Sequence, residues 1–129
     1  MMNKTQTPDI MSVMSPNDFQ NVNDISSRVY VAESLANYIV TLAQATRENI
    51  DVALGVSPRG SIALYKASQV LAMSLGRHYV TPDDIKSLAP KVWEHRLILT
   101  SQARLAGATA RDIMNSIISR IPVPTVKAV

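Results

Sequence analysis

Three strings constrain this chain more than anything else in it. Ser15-Pro16-Asn17-Asp18, Ser57-Pro58-Arg59-Gly60 and Thr81-Pro82-Asp83-Asp84 each place a hydroxyl residue directly before a proline. A serine or threonine oxygen accepts from the backbone N–H three residues on, and a proline in the first helical position has no N–H to leave orphaned and a φ already set for the helix. Two of the strings add an acid at the third helical place, which completes a capping box. Thr109-Ala110-Arg111-Asp112 repeats that box without the proline. Apolar residues at helical spacing follow each start, so the chain is expected to fold as all-α. With 4 glycines and 5 % aromatic residues, it lacks the turns and β-formers of a sandwich.

The pattern predicts the following order. A flexible tail covers 1–14, and a short helix from Ser15 carries Phe19, Val22 and Ile25. A longer helix runs over about 31–47 with Leu35, Tyr38, Ile39, Leu42 and Ala45 on one face, and Asn49, Asp51 and Gly55 mark a loop after it. The next helix spans 58–75 and stops at Gly76. Ile62, Leu64, Tyr65, Val70, Leu71, Met73 and Leu75 spread around that helix, with Lys66, Ser68, Gln69 and Ser74 interrupting, so it is expected in the middle of a bundle. After Thr81 the stripe Ile85, Leu88, Ala89 and Val92 contains Pro90, which predicts a kink or a split. Leu97-Ile98-Leu99 reads as a brief extended stretch. A last helix shows Ile113, Met114, Ile117, Ile118 and Ile121 before Pro122. The expected architecture is one domain over 15–122, an irregular bundle of about five helices around helix 58–75, with a short tail over 123–129.

Composition removes several function classes. There are no cysteines, hence no disulfide scaffold, thiolate metal site or cysteine nucleophile. No stretch approaches the ~20 apolar residues of a membrane span, and the start lacks a signal peptide's apolar core, so a cytoplasmic domain without membrane association is expected. The net charge is +3 with the basic residues spread along the chain, which disfavours a dedicated nucleic-acid binder. No HExxH or clustered acids suggest a metal site; His78 and His95 stand alone and read as structural. No Gly-x-Ser-x-Gly elbow occurs. Trp93 and the methionines read as core filling. Gly55-Val56-Ser57-Pro58-Arg59-Gly60-Ser61 has two glycines at P-loop spacing, but Ser61 stands where the lysine is needed, Pro58 removes a backbone donor, and no strand is expected before it.

One residue breaks the local rule. Arg59 occupies the second position of the 58–75 helix, where a cation meets the positive end of the macrodipole at a cost of about 0.3–1 kcal/mol. Gly60 beside it costs about 0.5–1 kcal/mol relative to alanine. An anion would reverse the sign, because first-turn N–H groups and a guanidinium together hold phosphate oxygens. The other reading is a solvated Arg59, or one paired with Glu48 or Asp51. Composition leaves both open.

Four stretches in series carry a family resemblance: Tyr38-Ile39-Val40 with Ala45-Thr46-Arg47; Gly55-Val56-Ser57-Pro58-Arg59-Gly60; Tyr79-Val80-Thr81-Pro82-Asp83-Asp84-Ile85; and Glu94-His95-Arg96-Leu97-Ile98-Leu99. In order and spacing they resemble the C-terminal helical lid of MoxR-type AAA+ ATPases, in the clade that also holds magnesium-chelatase-type ATPases. The resemblance implies a chaperone-like ATPase, oligomeric as a hexameric-type ring, whose P-loop module precedes the lid in a parent roughly twice as long. That module would hold ATP with Mg, and no cofactor would be bound by the lid alone. The lid's second-sensor arginine falls on Arg59, and the nucleotide contact on Ser57, Pro58, Arg59 and Gly60, acting on ATP of the same or a neighbouring subunit. Alone the fragment would not hydrolyse ATP; the parent would. A von Willebrand A-domain partner and a role in complex maturation or metal insertion are further implications. Arg47, Arg77 and Arg96 also match family-like positions and are read as helix-end or subunit contacts. Ala32 departs from the pattern, since a better capping residue is common there. Two rival expectations stand beside this one: a freestanding helical protein- or nucleic-acid-interaction module, and an oligomer contact made by Ile113, Ile117 and Ile121.

Overall fold

A computed structural model describes residues 15–125. In chain order the elements are α1 (Pro16–Ser26), α2 (Glu33–Glu48), β1 (Val52–Leu54), α3 (Pro58–Ser74), α4 (Pro82–Trp93), a 3-10 turn (Glu94–Arg96), β2 (Ile98–Leu99), α5 (Ser101–Leu105) and α6 (Ala110–Arg120). The expected tail over 1–14 lies outside the described residues, as does 126–129 of the C-terminal tail.

The caps form where the sequence puts them. Ser15 and Asp18 exchange both bonds of a capping box, each 3.1 Å, and Thr81 and Asp84 do the same at 3.3 and 2.8 Å. Ser57 Oγ accepts from the N–H of Gly60 at 3.3 Å. Thr109 accepts from Asp112 at 3.1 Å but receives no return bond, so the expected box there is half a box. Ala32 caps α2 with no side-chain bond. At the far end of α3, Gly76 adopts φ 76°; its N–H donates to Met73 and that of Arg77 to Ala72, which closes the helix in the paired 6→1 and 5→2 pattern.

The fold is the irregular helical bundle the sequence predicts, with α3 packed against α1, α2 and α4, and α6 against α2 and α4. Leu35, Tyr38, Ile39 and Leu42 of α2, Leu64 and Ala72 of α3, Ile85, Ala89 and Trp93 of α4, and Ile113, Met114 and Ile117 of α6 form the core. The Ile113 and Ile117 stripe is therefore spent inside the chain rather than on a second copy.

Several details differ from the expectation. The polar interruptions of α3, Ser68 and Gln69, are buried, whereas Ile62 and Val70 are 56 % and 41 % exposed. Burial of the two polar residues is tolerated because both are bonded: Ser68 Oγ donates to Leu64 O at 2.8 Å and Gln69 Nε2 to Val29 O at 2.9 Å. Ile62, Lys66 and Val70 follow one another at i, i+4, i+8 on the side of α3 that no element covers among the described residues. Phe19 and Ile25 of α1 likewise stay 65 % and 52 % exposed.

Pro90 does not split α4. It sits near the helix end, so the missing N–H costs one bond, and the chain passes into the tighter 94–96 turn only after Trp93. A strand does precede Gly55, because the loop expected after Asp51 contains β1, which pairs antiparallel with β2 (Val52 with Leu99, Leu54 with Ile98, irregular between). The short α5 is a sixth helix, capped by Thr100 Oγ1 accepting from Ala103 at 3.1 Å. Finally, Tyr30 N–H donates to His78 O at 2.8 Å and Val80 N–H to Tyr30 O at 2.9 Å, which ties the entry of α2 to that of α4.

Candidate functional site

The three residues Gly55, Val56 and Ser57 carry the chain from β1 into α3, and the end of α2 grips them. Val56 N–H donates to Thr46 Oγ1 at 3.0 Å, and Arg47 Nη1 donates to Val56 O at 2.6 Å. Gly55 lies so close over Arg47 that a β-carbon there would stand 2.7 Å from Arg47 Cγ and 2.8 Å from its backbone. From the other side comes α4. The indole Nε1 of Trp93 donates to the carbonyl of Gly60 at 2.8 Å, in a buried contact between residues 33 apart. The side chain of Arg96 also passes here, its Cδ 3.5 Å from where a Gly60 β-carbon would be.

Gly60 is therefore needed for close approach. It is helical and buried, and a β-carbon would meet Val56 Cγ1 at 2.5 Å. The sequence suggested a costly glycine; the structure shows a contact that requires it.

On this pinned turn Arg59 is exposed. The ion pairs among the described residues join Arg77 with Asp84, and Glu94 with Arg111 and His95. Arg59 belongs to none of them, so the pairing with Glu48 or Asp51 is not formed, and Arg47 and Arg96 meet no carboxylate either. Positive potential gathers at the N-terminus of α3 as a result. The backbone contributes less than the sequence suggested. Pro58 has no N–H, and those of Gly60 and Ser61 go to Ser57 Oγ and Ser57 O. Chemically the turn offers a guanidinium without an ion pair among the described residues, in a positive field, with the Arg59 amide as the remaining first-turn donor, which suits an oxyanion.

The other candidates resolve differently. Arg77 reaches Asp84 through two parallel bonds of 2.8 and 2.7 Å and lies 5.7 Å from the Tyr79 ring centre, which makes it a structural clamp between the end of α3 and the start of α4. Burial by itself would raise the Asp84 carboxyl; the Arg77 bonds, the Thr81 N–H and the nearby guanidinium charge outweigh it and hold the group below its ordinary value. The same bonds raise Arg77. Glu94 is lowered by its 3.0 Å bond from Arg111 at the surface. His95 is exposed, 3.8 Å from Glu94. Among the described residues no three His, Asp or Glu side chains converge. A groove of about 450 Å³ between the ends of α2 and α6 is lined by Glu48, Asn49, Ile50 and Arg120, not by Arg59. No helix of the described residues is long and apolar enough to cross a membrane. Sequence reasoning missed the Trp93 contact altogether; the adjacency of Gly60 to the odd arginine was the one available signal.

This helical arrangement is that of an AAA lid, and comparison with known proteins agrees. The AAA lid domain family matches residues 44–117, and the chain belongs to it. YeaC of Bacillus subtilis is 43 % identical over 87 % of this chain and 35 % of its own length. Chaperone MoxR1 of Mycobacterium tuberculosis is 30 % identical over 95 % of this chain and 35 % of its own. Protein MoxR of Methylorubrum extorquens is 32 % identical over 54 % of this chain and 21 % of its own. Among solved structures, a protein of Cytophaga hutchinsonii assigned as an ATPase superposes with a TM-score of 0.79 at 30 % identity, covering 84 % of this chain and 36 % of that one. The chain is the C-terminal lid of the MoxR type. It spans about a third of the length of the first two curated relatives, which are about two and a half to three times as long.

Proposed function

We propose that residues 15–122 act as the nucleotide-responsive lid of an AAA+ ATPase, and that Arg59 is its phosphate contact. The supporting observation is one side chain: Arg59 stands exposed and without an ion pair among the described residues, at the positive end of a helix pinned from two sides. Such a placement costs free energy unless an anion meets it. Among the described residues no carboxylates converge, and the resemblance assigns the ligands for magnesium to the P-loop module. With ATP and magnesium held there, the metal would neutralise phosphate charge. Arg59 would then donate to the γ-phosphate oxygens and stabilise the charge that develops on them during transfer. Ser57 caps the turn, Pro58 fixes its φ, and Gly60 lets it sit against Val56 while its carbonyl accepts from Trp93.

The resemblance carries the proposal further. The lid docks on the P-loop module of its parent and on neighbouring subunits of a hexameric-type ring, in the cytoplasm, beside a von Willebrand A-domain partner. The Mycobacterium tuberculosis relative is named a chaperone. That name favours work on protein complexes, with metal insertion as one form of it.

Steady-state ATP hydrolysis by the full-length parent tests this. Arg59→Ala lowers kcat by about a hundredfold, the scale of losing one oriented donor to a developing charge, and Arg59→Lys restores part of it. Unchanged turnover in Arg59→Ala rejects the reading.

A further inference from the structure

Trp93 is the only tryptophan of the chain, and the reading above gives its N–H no role beyond pinning the turn. We infer that Trp93 is a positioning residue: its indole N–H holds the first turn of α3 at the attitude from which Arg59 meets phosphate. The inference rests on the phosphate reading of Arg59.

The geometry is specific to an indole. A buried Trp N–H needs an acceptor, and a core that wanted only volume is filled equally well by Leu or Phe. Here the acceptor is the main chain of Gly60, the residue directly after Arg59, at 2.8 Å. A helical carbonyl has a second lone pair to offer, so the indole adds to the helix's own bond without displacing it. A β-carbon at position 60 would stand 3.6 Å from Nε1, an ordinary contact, so the indole reaches the carbonyl whether or not residue 60 is glycine. On the opposite flank Val56, clamped by Thr46 and Arg47, fills the same space. The α2 side thus fixes the residues before the helix, and Trp93 alone of these contacts bonds to the helix turn itself. It ties the direction of Arg59 to the end of α4, so the lid carries that guanidinium as part of a rigid body.

A double-mutant cycle in the full-length ATPase tests this, using Trp93→Phe, which keeps an aromatic ring and removes the donor. Expected is a loss of about fivefold or more in kcat with the KM for ATP nearly unchanged, and no further loss when Trp93→Phe is added to Arg59→Ala, because the two act through one contact. An equal loss in both backgrounds means Trp93 serves only the core, and overturns the inference. So does full activity of Trp93→Phe where Arg59→Ala is impaired. If Arg59→Ala itself keeps full turnover, the phosphate reading has failed, and amide exchange then judges the positioning geometry separately. In the 129-residue chain, Trp93→Phe speeds exchange at Gly60 and Ser61 about tenfold while leaving the amides of α6 unchanged. Unaltered exchange at those two amides overturns the geometry. Should Trp93→Phe not fold, the unmutated chain suffices: its indole proton exchanges as slowly as the core amides, and rapid exchange there rejects the bond.

Discussion

The Cγ1 of Val56 stands 2.5 Å from the place a β-carbon on Gly60 would occupy, so the two residues share one space and only one can fill it. Alanine is the better helix former by about 0.5–1 kcal/mol, and local propensity alone favours Gly60→Ala. Overpacking reverses the sign: the substitution costs about 1–3 kcal/mol. Made in a Val56→Ala background, it becomes neutral or stabilising. Urea unfolding of the four variants measures the coupling, and equal effects in both backgrounds reject the shared-space account.

Arg59 gives a prediction with opposite signs for stability and activity. The guanidinium faces the positive helix end with no ion pair among the described residues, so Arg59→Glu stabilises the chain by about 0.3–1 kcal/mol. The gain shrinks as salt screens the field. The same change in the parent removes the phosphate donor. Thermal unfolding at low and high ionic strength reads the first effect, and ATP turnover the second. A destabilised Arg59→Glu protein means that Arg59 has a structural partner.

What the sequence made legible was local. The Ser15, Ser57 and Thr81 starts depend on residues three apart, and so does the oddity of Arg59; all stand where the sequence puts them. Packing was not legible. Counting apolar residues around α3 predicted a fully enclosed rod, but which side is covered is decided by α1, α2 and α4, far away in sequence. β1 has three residues and α5 five, too few for a period to show. Gly60 looked like a costly residue because the side chain that requires it, that of Val56, meets it only once the chain has turned from β1 into α3. For the site, the charge was readable and the grip that aims it was not.

Gln69 shows the same gap between hydropathy and structure. By composition Gln69→Leu improves an apolar helix. In the structure Gln69 Nε2 supplies the Val29 carbonyl at 2.9 Å and reaches Ser27 O at 3.4 Å, fastening the turn after α1 to α3. Removing that donor leaves a buried acceptor unpaired, so Gln69→Leu destabilises by about 1–3 kcal/mol. Chemical denaturation with and without the substitution decides it, and a more stable leucine variant contradicts the assignment.

Asp84 sets the acid limit of the fold. Burial opposes its ionisation, yet the Arg77 fork, the Thr81 N–H and the Arg77 charge hold its carboxyl below the ordinary 3.8. The folded state therefore binds its proton less readily than the unfolded chain does. That difference stabilises the fold fully above the unfolded value and is lost as pH falls below 3.8 and through the lower folded value. Asp84→Asn removes the charge and half of the capping box, at a cost of about 2 kcal/mol at neutral pH, the scale of bonds to a charged group. The cost fades in acid, where the native carboxyl is itself protonated. Unfolding free energies at intervals from pH 7 down to pH 2 should show the native and Asp84→Asn curves converging below 3.8. Curves that stay parallel assign the acid sensitivity to other carboxylates.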